Sequence, residues 1–257
     1  MARLTAPALR RGLDILEMLA ESTEELRVPE ITRRLGLPRA TTHELVNTLV
    51  DRGYLTLSKE TGRVALGVKA LQLGAGYERG IDLASVGREC ATEVAAACGE
   101  TVQVVVRDGG FVVFIVRIDS THPVRLVSQA GSRLPATCTA GGKAMLSALP
   151  ASELDALFPD DRALQKMTPN SITTRHRLLA DLDAARERGW AEENCESNDH
   201  AACVAAPVYD RLGACVAAMS ISVPVVRWSD AEKQRHVELV LAGAKEMSQR
   251  LGASDAA

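Results

Sequence analysis

The stretch Ile31-Thr32-Arg33-Arg34-Leu35-Gly36-Leu37-Pro38-Arg39-Ala40-Thr41-Thr42-His43 holds a helix end, a short break and a new helix start. Gly36-Leu37-Pro38 is the break: glycine admits a left-handed turn, and proline stops one helix and opens the next. The helix before it begins near Pro29 and runs to about Leu35. The helix after it carries Ala40, Leu45, Val46, Leu49 and Val50, and ends at Arg52-Gly53-Tyr54. Upstream, Leu9, Leu13, Leu16 and Leu19 recur at helical spacing and predict an amphipathic helix with those leucines inward. Downstream, Leu55-Thr56-Leu57 and Arg63-Val64-Ala65-Leu66 flank Ser58-Lys59-Glu60-Thr61-Gly62, a β-hairpin signal. Three helices with a tight turn between the last two, then a hairpin, predict a winged helix-turn-helix.

In that arrangement the second helix of the pair enters the major groove by its N-terminal side chains. Those are Arg39, Thr41, Thr42 and His43, with Asn47 one turn on. Arginine pairs with guanine O6 and N7, and threonine methyls touch thymine methyls. Arg33, Arg34, Lys59 and Arg63 stand where phosphates pass, Arg63 on the wing. Taken singly, Arg33 or Arg34 reads equally well as a solvated surface residue. Glu44 is repulsive near phosphates unless it accepts from cytosine N4 or tethers Arg39 or His43.

The whole chain of 257 residues is 46% hydrophobic, 25% charged and only 3% aromatic, a globular composition long enough for two domains. Its net charge of -3 counts against a protein coated in basic charge. That total conceals a division: residues 1–75 balance at +2 and the remainder at -5. The longest uncharged run, Leu212 to Val226, includes Ser220, Ser222 and Pro224 and is shorter than the roughly 20 apolar residues a membrane span needs. No apolar leader opens the chain, and the six cysteines form no Cys-x-x-Cys pair. These features predict a cytoplasmic protein with reduced thiols.

Beyond a helical connector at residues 67–80, helices and strands mix in an α+β pattern. Leu83, Val86, Cys90, Val94 and Ala97 mark one helix face. Thr101 to Val106 and Phe111 to Ile118 flank Asp108-Gly109-Gly110, a hairpin turn signal. Arg177 to Arg188 reads as a helix with Leu178, Leu182 and Ala185 on one stripe. Cys203 to Tyr209 and Cys215 to Val223 read as strands, and Glu232 to Leu251 as a closing helix with Val237, Val240, Leu241, Ala244 and Met247 inward.

Four blocks in this order resemble the IclR-type bacterial transcriptional regulators. The head resembles them in Leu9-Arg10-Arg11-Gly12-Leu13-Asp14-Ile15-Leu16 and in residues 31–43. The remainder resembles them in Gly131-Ser132-Arg133-Leu134-Pro135 with Thr139-Ala140-Gly141-Gly142-Lys143-Ala144, in Arg188-Gly189-Trp190 with Cys203-Val204-Ala205-Ala206-Pro207-Val208, and in Val216-Ala217-Ala218-Met219-Ser220-Ile221-Ser222. The resemblance implies a winged helix-turn-helix DNA-binding domain at 1–66, a linker helix at 67–80, and a GAF-like effector-binding domain at 81–257. It implies no enzymatic activity and no cofactor. It implies homodimers, paired in some members into tetramers, a double-stranded operator of roughly palindromic sequence, and a small carboxylic or aromatic acid as effector. Carried over residue by residue, effector contacts fall on Leu134, Ala140, Gly141, Glu193, Cys203, Ser220 and Ser222.

The residue chemistry fits that carry-over in part. Ser220 and Ser222, two apart on a strand, share a face, although core-edge serines read the same way. Ala140-Gly141-Gly142 as a turn would bring backbone N–H groups close to a carboxylate. Glu193 beside an anionic ligand needs a proton or a bridging donor. Three positions depart from the family pattern: Glu44 replaces a basic residue, Thr137 a histidine and His200 a glycine.

Other readings compete at single features. Gly142-Lys143 resembles a phosphate-loop fragment but lacks the spaced glycine and the Mg²⁺-binding hydroxyl, so Lys143 reads instead as an ion-pair or capping residue. Cys195, His200 and Cys203, with Asp199 beside them, offer a metal set, a thiol sensor or a Cys-His catalytic pair. Their spacing matches no structural zinc motif, and no hydrolase signature accompanies them.

Overall fold

The computed structural model describes residues 6–22, 24–80, 83–123, 131–159 and 163–253, the side chains of 75–80 excepted. The chain divides into two units, Met1–Ile81 and Asp82–Ala257.

In the first unit α1 (Pro7–Glu21), β1 (Leu26–Arg27), α2 (Val28–Leu35), α3 (Arg39–Asp51), β2 (Leu55–Leu57), β3 (Arg63–Leu66) and α4 (Val68–Gly80) follow in order. Pro29 lies in the first turn of α2, and the Glu30 carboxylate accepts from the Arg27 N–H at 2.7 Å. Gly36, at φ 63°, ends α2 in the left-handed conformation glycine adopts without strain. The hairpin forms as expected, and β1 adds a third antiparallel strand in the order β1-β3-β2. A two-residue strand carries no legible alternation, which is why the sequence does not announce it.

Ile15, Leu19, Leu26, Val28, Ile31, Val46, Leu55 and Val64 form the core of this unit. The predicted inner face of α1 is therefore corrected. Gly12, Ile15 and Leu19 face inward, while Leu9 and Leu13 are exposed. The leucine stripe is offset from the packed face by part of a turn.

The second unit is one antiparallel sheet between two helical layers. Its elements are α5 (Leu83–Cys98), β4 (Thr101–Asp108), β5 (Phe111–Ile118), β6 (Arg133–Pro135), α6 (Ala140–Ser147), α7 (Ala151–Leu157), α8 (Arg175–Arg188), β7 (Ala191–Asn194), β8 (Ala201–Tyr209), β9 (Cys215–Pro224) and α9 (Asp230–Arg250). The strand order is β6-β5-β4-β9-β8-β7. This is the expected α+β, GAF-like arrangement, with the Asp108-Gly109-Gly110 hairpin in place.

Alternation along the strands sorts the side chains between the layers. Val102, Val104, Val204, Ala206, Val208, Ala217, Met219, Ile221 and Val223 pack toward α5 and α9. Val105, Cys203, Ala205 and Ala218 point the other way, toward α6 and α8. Gln103, Ser220 and Ser222 share that second face by the same alternation. A bulge keeps the sorting intact: Val104 pairs with Val116 but Val105 with Phe114, so Ile115 is the extra residue. Two helix faces differ from expectation. Ala97 of α5 and Leu241 of α9 are exposed, whereas His236 and Gly243 are buried.

Buried His236 lies parallel to Trp228, with ring centroids 6.2 Å apart, and neither ring nitrogen has a hydrogen-bond partner among the described residues. Burial holds its pKa below the ordinary histidine value, outweighing Glu232 and Glu100, which pull it upward. The native state therefore keeps this ring neutral while the unfolded chain takes up a proton near pH 6.5. Stability falls as pH drops from about 6.5 toward the native pKa, by at most about 1.4 kcal/mol per pH unit. A His236→Phe variant, which keeps the ring packing, should show a smaller loss of melting temperature between pH 7 and pH 5. Equal losses in both proteins would remove this role.

Candidate functional site

Two sets of residues stand out, one in each unit. On α3 the exposed residues are Arg39, Ala40, His43, Glu44, Asn47, Thr48 and Asp51, a single stripe along the helix. Thr41 is half-buried. Thr42 is fully buried and donates its hydroxyl to the Pro38 carbonyl at 3.2 Å, so its placement among base-reading residues is corrected. With Val46 one turn later it forms the inward face of the helix. That i, i+4 pair was the available signal, and it also picks out Ala40 and Thr48 as members of the exposed stripe. Among the described residues, no ion pair ties Glu44 to Arg39 or His43. Arg33 and Arg34 are exposed at the end of α2, and Lys59 is exposed on the hairpin. Arg63 is half-buried and donates to the Glu25 carbonyl at 2.7 Å, which fastens β1 beside β3.

In the second unit, register brings distant residues into rows across the sheet. Glu193 pairs with Cys203, Cys203 with Ser222, and Ser222 with Thr101. One step along, Ala205 pairs with Ser220 and Ser220 with Gln103. The Glu193 Oε1 lies 3.1 Å from the Cys203 Sγ, which lies 3.2 Å from the Ser222 Oγ. The Ser222 Oγ in turn lies 3.1 Å from the Gln103 Oε1. Glu193 also accepts from the Ser197 hydroxyl at 3.0 Å and from the Glu196 N–H at 2.8 Å. All four members of the chain are buried.

The layer above is set by α6. Thr139 caps it, its hydroxyl accepting from the Gly142 N–H at 3.1 Å. Ala140-Gly141-Gly142 is therefore the first turn of a helix rather than an open turn, and the Gly142 N–H is already occupied. A Cβ on Gly141 would stand 2.7 Å from a Val105 methyl, which measures how closely α6 approaches β4. Ala140 is buried in the same layer, and Leu134, half-buried on β6 opposite Val112, packs against it.

Lys143 of α6 is buried, with its Nζ 2.8 Å from Glu196 Oε1 and 2.9 Å from Asp181 Oδ2. Burial works against its charge, but the two carboxylates together hold its pKa above the ordinary lysine value. The ion-pair reading of Lys143 is the observed one. Glu196 is carried by a loop in which Cys195 takes a positive φ of 58°. Ser171 donates to the Glu196 carbonyl at 2.7 Å and Thr168 to the Cys195 carbonyl, fixing that loop. Burial raises the pKa of Glu193 despite its contacts with Cys203, Glu196 and Ser197, and that of Glu196 despite Lys143. Gln103, Asp181, Glu196 and Ser197 were not foreseen. Their contacts depend on strand register and loop path, which local pattern does not encode.

Cys195, His200 and Cys203 do not come together as a ligand set. The Cys195 thiol donates to the Asp199 carbonyl at 3.3 Å, His200 is exposed, and Cys203 is engaged with Glu193 and Ser222. Among the described residues no group of three or more His, Cys, Asp or Glu side chains is placed to hold a metal ion. Burial raises both thiol pKa values, which disfavours the thiolate that nucleophilic or redox chemistry requires. Among the described residues no helix is long and apolar enough to cross a membrane.

Comparison with known proteins follows the same division. A family model described as the IclR helix-turn-helix domain matches residues 8–58. One described as bacterial transcriptional regulator IclR C-terminal matches residues 75–249. The HTH-type transcriptional repressor AllR of Escherichia coli is 33% identical over 252 residues, covering 98% of this chain and 93% of its own. The regulator XynR of the same species is 31% identical over 245 residues, covering 95% and 97%. Among solved structures, the Agobacterium tumefaciens repressor BlcR superposes with a TM-score of 0.63 at 31% identity, covering 98% of this chain and 99% of its own. An IclR homologue from Microbacterium hydrocarbonoxydans complexed with 4-hydroxybenzoate shares the fold at a TM-score of 0.82 and 23% identity, covering 96% and 100%.

Proposed function

Since the chain belongs to the IclR family of DNA-binding transcriptional regulators, we propose that its second unit senses a small organic acid and thereby alters operator binding by its first. It is a regulator and not an enzyme. The observation that carries the sensing half is the buried row Glu193–Cys203–Ser222–Gln103. Burying polar groups costs free energy unless their hydrogen bonds are met, so such a row on an otherwise apolar face is suited to recognition. Ser220, Leu134, Ala140 and Gly141 border it and complete the proposed contact set. The acid bound by the Microbacterium homologue, 4-hydroxybenzoate, is the class of compound expected here.

For the DNA half, Arg39, His43 and Asn47 supply base-edge contacts, with Thr41 at the border of their stripe. Arg33, Lys59 and the remaining donors of Arg63 supply phosphate contacts. The head carries little net positive charge, so two heads are needed for useful affinity. A second copy of the chain is the partner that fits the exposed apolar residues Leu9 (64%) and Leu13 (46%) of α1 and Val68 (65%), Leu71 (73%) and Leu73 (61%) of α4. A dimer of this kind reads a roughly palindromic operator, and it works in the cytoplasm, where the chromosome is.

Arg39→Ala should weaken operator binding by about 1–3 kcal/mol, roughly 5- to 150-fold, and relax specificity at one base position. Lys59→Ala should weaken binding evenly across sequences and lower the salt slope by about 1. Gel-shift titrations at several salt concentrations measure both. Binding indifferent to salt and to Arg39 would overturn the interface.

A further inference from the structure

Three contacts in series join four groups beneath α6: Glu193 Oε1 to Cys203 Sγ, Cys203 Sγ to Ser222 Oγ, and Ser222 Oγ to Gln103 Oε1. Each needs one proton. The thiol and the hydroxyl bring one each, and the Gln103 carbonyl oxygen only accepts. Two protons cannot serve three contacts, so with the Gln103 carbonyl oxygen toward Ser222 the third comes from Glu193. With a protonated carboxyl the chain runs one way: Glu193 donates to Cys203, Cys203 to Ser222 and Ser222 to Gln103. The remaining carboxyl lone pairs still accept from Ser197 and from the Glu196 N–H.

A count of charges points the same way. Lys143 already faces two carboxylates, Glu196 and Asp181, which leaves one negative charge in excess. Glu193 is 1% exposed, and an ionised Glu193 would add a second negative charge out of water. The groups facing it are Cys203 of β8, Cys195, Glu196 and Ser197 of the following loop, Lys143 of α6 and, across that lysine, Asp181 of α8. Arg188 and Lys233 pair with Glu192, whose side chain leaves the other face of β7, so they do not serve Glu193.

We propose that Glu193 carries a proton at neutral pH and heads a one-way chain of hydrogen bonds to Gln103, so that this end of the site is uncharged. The consequence for specificity rests on the effector reading above: a neutral Glu193 admits a carboxylate, whereas an ionised one repels it. Glu193 is then a specificity-determining residue, and Gln103 holds the far end of the chain.

The test uses full-length protein labelled with ¹³Cδ-glutamate and followed by NMR from pH 5.5 to 9. One carboxyl carbon should keep the shift of a protonated acid at pH 7 and vanish in Glu193→Gln. Ser222→Ala, which does not touch Glu193, should lower the pH midpoint of that signal, because the Cys203 proton is then free to serve the carboxylate. A Glu193 signal at the carboxylate position at pH 7 overturns the proposal, the missing proton then coming from a Gln103 amide turned end for end. A midpoint unmoved by Ser222→Ala overturns the chain. Calorimetry with benzoate runs in parallel: affinity should fall as the Glu193 signal titrates. A protonated Glu193 in a protein that takes no benzoate upholds the proton and refutes the aromatic-acid reading alone.

Discussion

Lys143→Ala destabilises the second unit by about 3–5 kcal/mol, the cost of breaking a buried ion pair by removing one partner. For a domain whose whole stability is about 5–15 kcal/mol, that is enough to unfold much of the population at moderate temperature. Lys143 is 1% exposed and is the cation that Glu196 and Asp181 share. The Asp181 side chain is the more exposed of the two, 27% against 12%, and can partly rehydrate, although its Oδ2, like the Glu196 Oε2, is buried. The penalty therefore falls mainly on Glu196. Restoring neutrality should recover most of it: the triple variant Lys143→Met, Asp181→Asn, Glu196→Gln should be markedly more stable than Lys143→Ala. Urea denaturation followed by circular dichroism compares them. If Lys143→Ala costs under about 1 kcal/mol, the range of an exposed pair, Lys143 does not hold this layer together.

Gly142→Ala is the second large effect, about 3 kcal/mol or more. By helix propensity alone the change should stabilise α6 by up to about 1 kcal/mol. The packing reverses the sign. A Cβ there would stand 2.3 Å from the Ala136 carbonyl oxygen, 2.4 Å from the Ala136 Cα and 2.6 Å from the capping Thr139 hydroxyl. Two of those atoms are backbone and cannot rotate away, so α6 must shift off its cap, beyond the 1–3 kcal/mol of ordinary overpacking. Gly141→Ala is the control. Its Cβ would meet a Val105 methyl at 2.7 Å, which a side-chain adjustment partly relieves. The expected order of melting temperature is native, then Gly141→Ala, then Gly142→Ala. Equal melting of the last two would show that the Ala136 turn yields.

What the sequence disclosed and what it withheld follow from the range of the forces involved. Gly36-Leu37-Pro38 and Asp108-Gly109-Gly110 were legible because turn geometry is decided by the residues in the turn. The pairing of Ser220 and Ser222 on one face followed from strand alternation. The inner face of α1 is not decided by its leucines, which mark two stripes of that helix; only packing against the rest of the head selects Ile15 and Leu19. Thr42 holds the sequence position of a base-reading residue, but helical period turns it inward beside Val46. Gln103 and Glu196 lay outside local pattern altogether. Gln103 reaches Ser222 across 119 residues and Lys143 reaches Glu196 across 53, contacts made by register and loop path. Cys195, His200 and Cys203 show the converse: their spacing matches no zinc motif, and among the described residues nearness in sequence does not become a shared metal site.

Coupling between the two units is the central claim, and it is measured most directly as operator affinity with and without a bound acid. Duplexes selected by the full-length protein from a random pool supply the DNA, and a thermal-shift screen of small carboxylic and aromatic acids, 4-hydroxybenzoate included, supplies the ligand. A ligand shifts DNA affinity only by its differential affinity for the two arrangements of the protein. The account predicts that an acid which raises the melting temperature changes the dissociation constant for the selected duplex at least several-fold, and that Ser222→Ala abolishes both effects while DNA binding alone persists. A duplex affinity unchanged at saturating acid, or a change that survives Ser222→Ala undiminished, would contradict it.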